Sequence, residues 1–518
     1  MPPKVRHLYL VLGDQLDHDS PLLAEADPTQ DAFWMAEAAE EADHVWSHKL
    51  RIAFFFAAMR HYRDWLSEEG WCVHYSELPS DGRRDRGRGL GEILAADLQA
   101  LKPERIVVVE PGDHRVRRLL EATCEEAGVP FAVRADSHFL LPREDFGEWA
   151  EGRRRFLLED FYRMMRKRLG ILMRDDGAPE GGEWNFDKDN RQAFGKEGPP
   201  RETAFGDYPP DETTEAVVAL VRNRFADHPG KLDALRLPVT REDALRELKR
   251  FVAERLPLFG QYQDALWSGS DVLYHSRLSA VLNLKLLHPR EVLEAALAAH
   301  QSGDAPLNAV EGFVRQVLGW REFVRGIYFL HGEAYLDRNA LGAHEPLPRF
   351  FWDGQTEMAC ARDAMRNVLE NGYAHHIQRL MVLGQFALLW GADPRQFHEW
   401  HMAMYLDAID WVSAPNTIGM SQFADGGIVG TKPYCASGNY IRKMSNHCAQ
   451  CAYRPSEATG ERACPFTTLY WDFLARHHER FRGNRRMVFQ VKNLERKDPG
   501  ELKAIRARAA WLREELVS

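Results

Sequence analysis

The chain has 518 residues, of which 45% are hydrophobic and 28% charged, and its formal net charge is −10. That length exceeds what one ordinary core supports, so two or three domains are expected. No apolar run approaches the ~18 residues of a membrane span, seven cysteines without a secretory pattern argue against a disulfide framework, and the acidic total excludes a uniformly basic coat but not a local basic groove.

The N-terminal MPPKVRHLYLVLGDQL carries no signal-peptide pattern, so a cytoplasmic protein is the expectation. HLYLVL (7–12), ending at Gly13, reads as a strand and a turn. FWMAEA (33–38) is a second strand, and 48–66 has helical spacing without a breaker. WCVHY (71–75), RIVVVE (105–110) and PFAVRA (130–135) follow as strands, each after a helical stretch. Strands alternating with helices predict a Rossmann-like parallel sheet covered on both faces over residues 1–140. Ligands of such sheets sit beyond the carboxyl ends of the strands. Those ends are Gly13-Asp14-Gln15, Glu37 and Glu110.

Residues 141–211 read as an interdomain linker, polar and rich in glycine and proline from about Arg174 to Pro210. Its first part, GRRRFLLEDFYRMMRKR, concentrates arginines from Arg153 to Arg168, whose ordinary reading is a solvated helix face. From 212 to 518 the pattern is helix after helix. The fold class is therefore α/β followed by a large all-α domain.

The helical part carries the chemistry. Cys448 and Cys451 are two residues apart, and Cys464 follows after twelve more. Such spacing lets thiolates grip one metal centre. Zinc would take His447 or Cys435 as fourth ligand, whereas a [4Fe–4S] cluster would take Cys360 or Cys435. The tryptophans Trp320, Trp352, Trp390, Trp400, Trp411 and Trp471 suit a core, and a subset would suit electron relay beside a redox cofactor. His375 and His376 are adjacent, so on a helix they point about 100° apart, and with Arg379 they form an acid/base candidate. A second basic stretch begins at Arg480. Lys432, Arg442 and Lys443 interleave with Tyr434 and Tyr440, a mixture suited to phosphate and base contact.

NAVEGFVRQVLGWREFVRGIY (308–328), YAHHIQRLM (373–381) and WVSAPNTIGMSQFADGGIVGTKPYCASGNYI (411–441) resemble the photolyase/cryptochrome superfamily. Within it they are similar to the bacterial iron–sulfur branch of prokaryotic (6-4) photolyases and cryptochrome-like proteins, from GDQL to the C-terminal cysteines. The resemblance implies FAD in the helical domain, with His275, Ser276, Arg277, Leu278 and Ser279 on its phosphate side and Glu311, Arg321, Asp407 and Asn416 around its pocket. Ser413 or Asn416 would face flavin N5. It implies a [4Fe–4S] cluster on Cys360, Cys448, Cys451 and Cys464. It also implies a 6,7-dimethyl-8-ribityllumazine antenna at Gly13, Asp14, Gln15, Glu37, Glu41 and Glu110, and Mg2+ at Asp187 and Asp264.

On this resemblance His376, with His375, handles a proton in the repair of (6-4) lesions in UV-damaged DNA, Trp400 and Trp352 relay electrons, and Tyr434 belongs to the catalytic set. His401 stands where close relatives carry a tyrosine. The other readings are a cryptochrome-type blue-light receptor with little repair and a zinc-stabilised DNA-binding protein. No membrane and no obligate protein partner are expected.

Overall fold

The computed structural model describes residues 5–80, 85, 87, 89–201, 203–233 and 235–517. All five expected strands form: β1 (His7–Leu10), β2 (Ala32–Ala36), β3 (Val73–Ser76), β4 (Arg105–Val109) and β5 (Phe131–Arg134). They pair in the order β3-β2-β1-β4-β5, every pair parallel. The order reverses between β1 and β4, which brings Gly13-Asp14-Gln15 beside Glu110-Pro-Gly112 at the switch point.

The near-continuous apolar runs are explained by burial on both faces. Leu8, Leu10, Trp34, Ile106 and Val108 face the helices Leu90–Leu101 and His114–Ala127 in a separate outer core. Tyr9, Phe33 and Val107 alternate with them, and their core continues without a break into the helical part of the chain. The long helix Lys49–Glu68 lies in that shared core. At its start the His48 backbone N–H donates to Ala403 O at 2.8 Å.

Every strand among the described residues precedes residue 135, so the all-helical expectation for the second half holds. The linker differs from its expectation. It opens with two helices, Arg143–Ala150 and Leu158–Leu169. On the second, Lys167 and Arg168 are exposed as a solvated basic face requires, but its other side, with Phe161, Tyr162, Met165 and also Arg166, is buried. The Arg166 guanidinium donates to the carbonyls of Ile171, Leu172 and Trp184, so the charge serves to satisfy the irregular backbone beyond the helix.

The polar stretch after it is likewise fastened down. Asp187 meets Arg315 at 2.7 Å, Asn190 donates to Asn308 O at 3.2 Å, and Arg201 N donates to Tyr274 OH at 3.1 Å. It is a strap laid on the helical region, not a free tether between two bodies. Among the described residues no helix is long and apolar enough to cross a membrane.

Phe146 docks the first of these helices into a notch over Gly326, where an added Cβ would stand 2.2 Å from the ring. Gly326→Ala should therefore expel Phe146 and destabilise the chain by ~1–3 kcal/mol. Chemical denaturation would read this as a lower midpoint, and an unchanged midpoint would show that the notch contributes nothing.

Candidate active site

A cavity of about 740 Å³ opens in the helical region, within the ~300–1,000 Å³ range of cofactor sites. Three π-helical segments shape it: Arg315–Arg321, Gln378–Gly384 and Pro415–Ser421. Each adjoins an α-helix, and the wider turn shifts side chains around the axis and leaves backbone groups displaced. Each also contains a glycine pressed by a neighbour. An added Cβ would lie 3.1 Å from Tyr162 at Gly319, 2.3 Å from Ser421 Oγ at Gly384, and 2.4 Å from Tyr335 OH at Gly419. Pro415 lacks the N–H an α-turn would use there, which favours the offset in the third segment.

One end of the cavity is cationic and hydroxylic. His275, Ser276, Arg277 and Ser279 line it, while Leu278 is buried behind them. Arg277 is held at φ 59 and lies 3.8 Å from the centroid of the Phe205 ring. Burial pushes its guanidinium down to about 10. Ser279 Oγ donates to Asp407 at 2.6 Å, and Arg379 donates to the other Asp407 oxygen at 2.9 Å. Burial alone would raise the Asp407 carboxyl, but Arg379 and Ser279 hold it below the usual range. Arg379 stacks over Tyr405 at 3.9 Å.

The adjacent histidines part company. His375 stacks on His275 with ring centroids 4.6 Å apart, and neither of its nitrogens has a partner. Burial pushes His275 down to about 3 and His375 well below its ordinary value. His376 is open to the cavity near its mouth, and its imidazole is lowered first by the surrounding protein, then by Arg379 and Arg191. Ser413 and Asn416 both line the wall. Asn416 is engaged with Trp320 at 3.0 Å and Val412 O at 2.7 Å, whereas the buried Ser413 hydroxyl lacks a partner.

Arg321 lines the opposite side, donating to His138 Nδ1 at 3.0 Å and lying over Phe139 at 4.1 Å. Glu311 is not in the wall. It sits fully buried behind Arg315, 3.7 Å away, and accepts Phe186 N at 3.3 Å. At the mouth Tyr434 is 38% exposed, and Asp187 and Asp264 converge on the Arg191 guanidinium at 2.8 and 3.7 Å. That guanidinium lies between the two carboxylates to which the resemblance assigns Mg2+.

Trp400 and Trp352 do not line the cavity. Phe397 and His401 do, with Trp400 stacked directly behind Phe397 at 5.7 Å. Sequence reasoning missed Phe397 and Tyr405; phenylalanine and tyrosine among so many aromatics carry no distinguishing signal. His401 is half-buried 4.5 Å from the Tyr405 ring, and desolvation by the surrounding protein lowers it well below its ordinary value.

Cys360, Cys448, Cys451 and Cys464 line one small enclosed chamber of about 10 Å³ with His447 and Gly438. Of the two candidates that spacing left open, Cys360 lines the chamber with the other three cysteines and Cys435 does not. Cys360 enters from the first turn of the helix Ala359–Asn371, and Cys464 caps the helix Pro465–Arg476. Helix starts favour thiolate charge. Gly438 leaves room for sulfur, since a Cβ there would stand 2.8 Å from Cys464 Sγ. His447 Nε2 is taken by Asp363 at 2.9 Å. Four convergent thiols fit a soft metal or cluster. Among the described residues, no group of three or more His, Cys, Asp or Glu is already drawn into metal-holding geometry.

At the strand ends Asp14 is pushed up to about 6 by burial, and the Gln15 carbonyl oxygen is buried without a partner. Gly13 faces Phe55 and Met59. Glu37 is different from its expectation. Its two oxygens accept Arg60 at 2.6 and 2.9 Å, Tyr75 OH at 2.7 Å and Leu78 N at 3.0 Å. A carboxylate offers about four acceptor sites, so none is left for a ligand. Glu41 is clasped by Arg115 at 3.0 and 2.6 Å, and Glu110 by Arg143 at 2.6 Å.

An unfolded histidine takes its proton near about pH 6.5, but His275, His375 and His401 take theirs lower in the folded protein. In between, the unfolded state binds more protons, so stability falls as pH falls through that window. Thermal midpoints should decline from about pH 7 to about pH 5, and less steeply in His375→Gln. A flat profile would contradict the buried neutral stack.

Comparison with known proteins agrees with this geometry. A family model described as deoxyribodipyrimidine photo-lyase-related protein matches residues 9–237. Over 504 residues, 97% of this chain and 98% of the relative, the sequence is 44% identical to an Agrobacterium fabrum protein named (6-4) photolyase. A solved bacterial class III photolyase from Agrobacterium tumefaciens superimposes with TM-score 0.58 at 15% identity, covering 99% of both chains. A Synechocystis cryptochrome does so with TM-score 0.56 at 13% identity, over 100% of this chain and 99% of that one. Those two establish likeness of fold, and the long, close sequence match establishes descent: the chain belongs to the photolyase/cryptochrome family, on the branch of the bacterial (6-4) photolyases.

Proposed function

We propose that the protein repairs (6-4) pyrimidine photoproducts in UV-damaged DNA with light, using FAD held in the large cavity. The observation that carries this reading is His376 opening onto a cavity whose wall also carries Arg277, Arg315, Arg321 and Arg379, in a chain 44% identical to a named (6-4) photolyase. Arg277 and the Ser276 and Ser279 hydroxyls would hold the diphosphate, and the unpartnered His275, His375 and Ser413 atoms would gain partners from the ring system. When bound, light-excited reduced FAD supplies the electron that opens the lesion.

The chain's own residues do the rest. Tyr434 and the strap residues Asp187 and Arg191 frame the mouth into which a flipped dinucleotide would pass. Arg486 lines the same cavity, and next to it in sequence Arg485, Lys492 and Phe489, the last 81% exposed, lie on the surface, the three cations without a carboxylate partner among the described residues. Unpaired cations beside an exposed ring suit phosphate contact and base stacking. His376 would pass a proton from an imidazole nitrogen to the lesion. It is neutral at pH 7 in the free protein, and the incoming phosphates would raise its affinity for the proton it must deliver.

The antenna is proposed at Asp14 and Gln15, with Glu37 serving as an internal brace. A [4Fe–4S] cluster is proposed on Cys360, Cys448, Cys451 and Cys464. Mg2+ at Asp187 and Asp264 would require Arg191 to move aside.

Two measurements test these readings. With reduced protein and a (6-4)-containing oligonucleotide under blue light, His376→Ala should lower repair ~10²–10⁴-fold, the usual worth of a general acid, with flavin content unchanged. A parent protein that binds FAD and leaves the lesion intact would instead be a photoreceptor. Iron and sulfide analysis should find the cluster lost in Cys360→Ser and kept in Cys435→Ser. Zinc in place of iron would overturn the cluster assignment.

A further inference from the structure

A series of aromatic residues leads from the cavity toward the surface, joined at one step through the Phe351 backbone, and its outermost ring belongs to the α/β part of the chain. Phe397 and His401 form the cavity wall. Trp400 stacks on Phe397 with centroids 5.7 Å apart and planes at 25°, and meets Tyr405 edge-on at 5.6 Å. Its indole N–H donates to Phe351 O at 2.7 Å, which places the peptide of Trp352 next in line. The Trp352 ring is 5.4 Å from the Trp46 ring, at 42°. Trp46 is 47% exposed, whereas Trp400 is buried.

Trp46 does not hang in a loose loop. It lies between the helix Ala39–Asp43 and the helix Lys49–Glu68; before it Asp43 meets His228 Nε2 at 3.2 Å, and after it three consecutive residues are bonded to the helical region. Ser47 O accepts His228 Nδ1 at 2.9 Å. His48 N donates to Ala403 O at 2.8 Å, His48 Nε2 meets Leu369 O at 3.0 Å, and Lys49 N donates to Pro229 O at 3.0 Å. The backbone is thus pinned so that the indole pair spans the domain boundary at fixed distance.

We propose that Trp46 is the solvent-side terminus of the electron relay, beyond Trp352. This rests on the reading that Trp400 and Trp352 feed electrons to bound flavin. With oxidised flavin bound and excited by light, Trp400 would give up one electron to it, Trp352 would refill Trp400, and Trp46 would refill Trp352. The hole on Trp46 loses its indole N–H proton to water, which blocks the electron's return. A soluble thiol then returns one electron and one proton to Trp46. Two rounds deliver two electrons to the flavin and convert two thiols to one disulfide.

The test uses flavin-loaded parent, Trp46→Phe, Trp352→Phe and Trp400→Phe proteins, matched for flavin content and thermal midpoint. A blue flash without thiol, followed by transient absorption, reads the tryptophan radical and its deprotonation. Steady illumination with thiol reads the rate of flavin reduction. Trp46→Phe should shorten the radical lifetime severalfold, remove most of the deprotonated radical and slow photoreduction severalfold. If Trp46 only covers Trp352, the same variant should expose Trp352 and leave the deprotonated radical equal or greater; that result, with loss confined to Trp352→Phe and Trp400→Phe, overturns the proposal. A Trp400→Phe protein that still photoreduces normally overturns the relay reading beneath it, which is a separate outcome.

Discussion

The ion pair of Arg379 with Asp407 organises the whole site. Asp407 accepts from Ser279 and Arg379 through its carboxylate, and its backbone carbonyl accepts Asn283 Nδ2 at 2.7 Å. Arg379 also donates to Ala374 O at 2.6 Å and covers the Tyr405 ring. Three stretches far apart in sequence, around 275–283, 373–379 and 405–407, therefore meet at one pair of charges. From the α/β domain, Arg51 reaches Tyr405 O at 3.1 Å. Removing one partner would leave the other buried and uncompensated, a loss of ~3–5 kcal/mol.

Around it the cavity is kept open by departures from α-helical regularity. A regular helix facing a neighbour closes the gap with its own side chains. Three π-helical turns, each carrying a glycine wedged by a side chain from elsewhere, hold the backbone where an ordinary turn would not sit. Buried polar atoms without partners then accumulate on the walls, at His275, His375 and Ser413. Such atoms are costly in an empty core and are explained by an occupant that bonds them.

What could be read from the chain follows from how local each signal is. The five strands were legible because β-branched and aromatic runs between turn residues are local, and so was the triplet of cysteines. Cys360 lies 88 positions before Cys448, and spacing cannot select it; only the helix start that carries it into the chamber does. The strap looked like a tether because polar composition does not reveal that Asp187, Asn190 and Arg201 each have a partner more than 70 positions away. Arg166 looked solvated because a charge on a helix is normally outside. The resemblance set Glu37 and Glu311 among ligand-binding residues, yet their carboxylates are turned to internal partners, a matter of side-chain geometry that no motif encodes.

The sheet's inner face and the helical region share one core, with Tyr9, Phe33 and Val107 packed into the same apolar body as the cavity walls. Two pigments seated at the strand ends and in the cavity would therefore be mounted on a single rigid frame. Resonance transfer of excitation depends steeply on separation and on the angle between transition dipoles. A hinge between the domains would make light collection fluctuate with every thermal swing; continuous packing would remove that source of noise, and the optical geometry of two such pigments would be set once, when the chain folds.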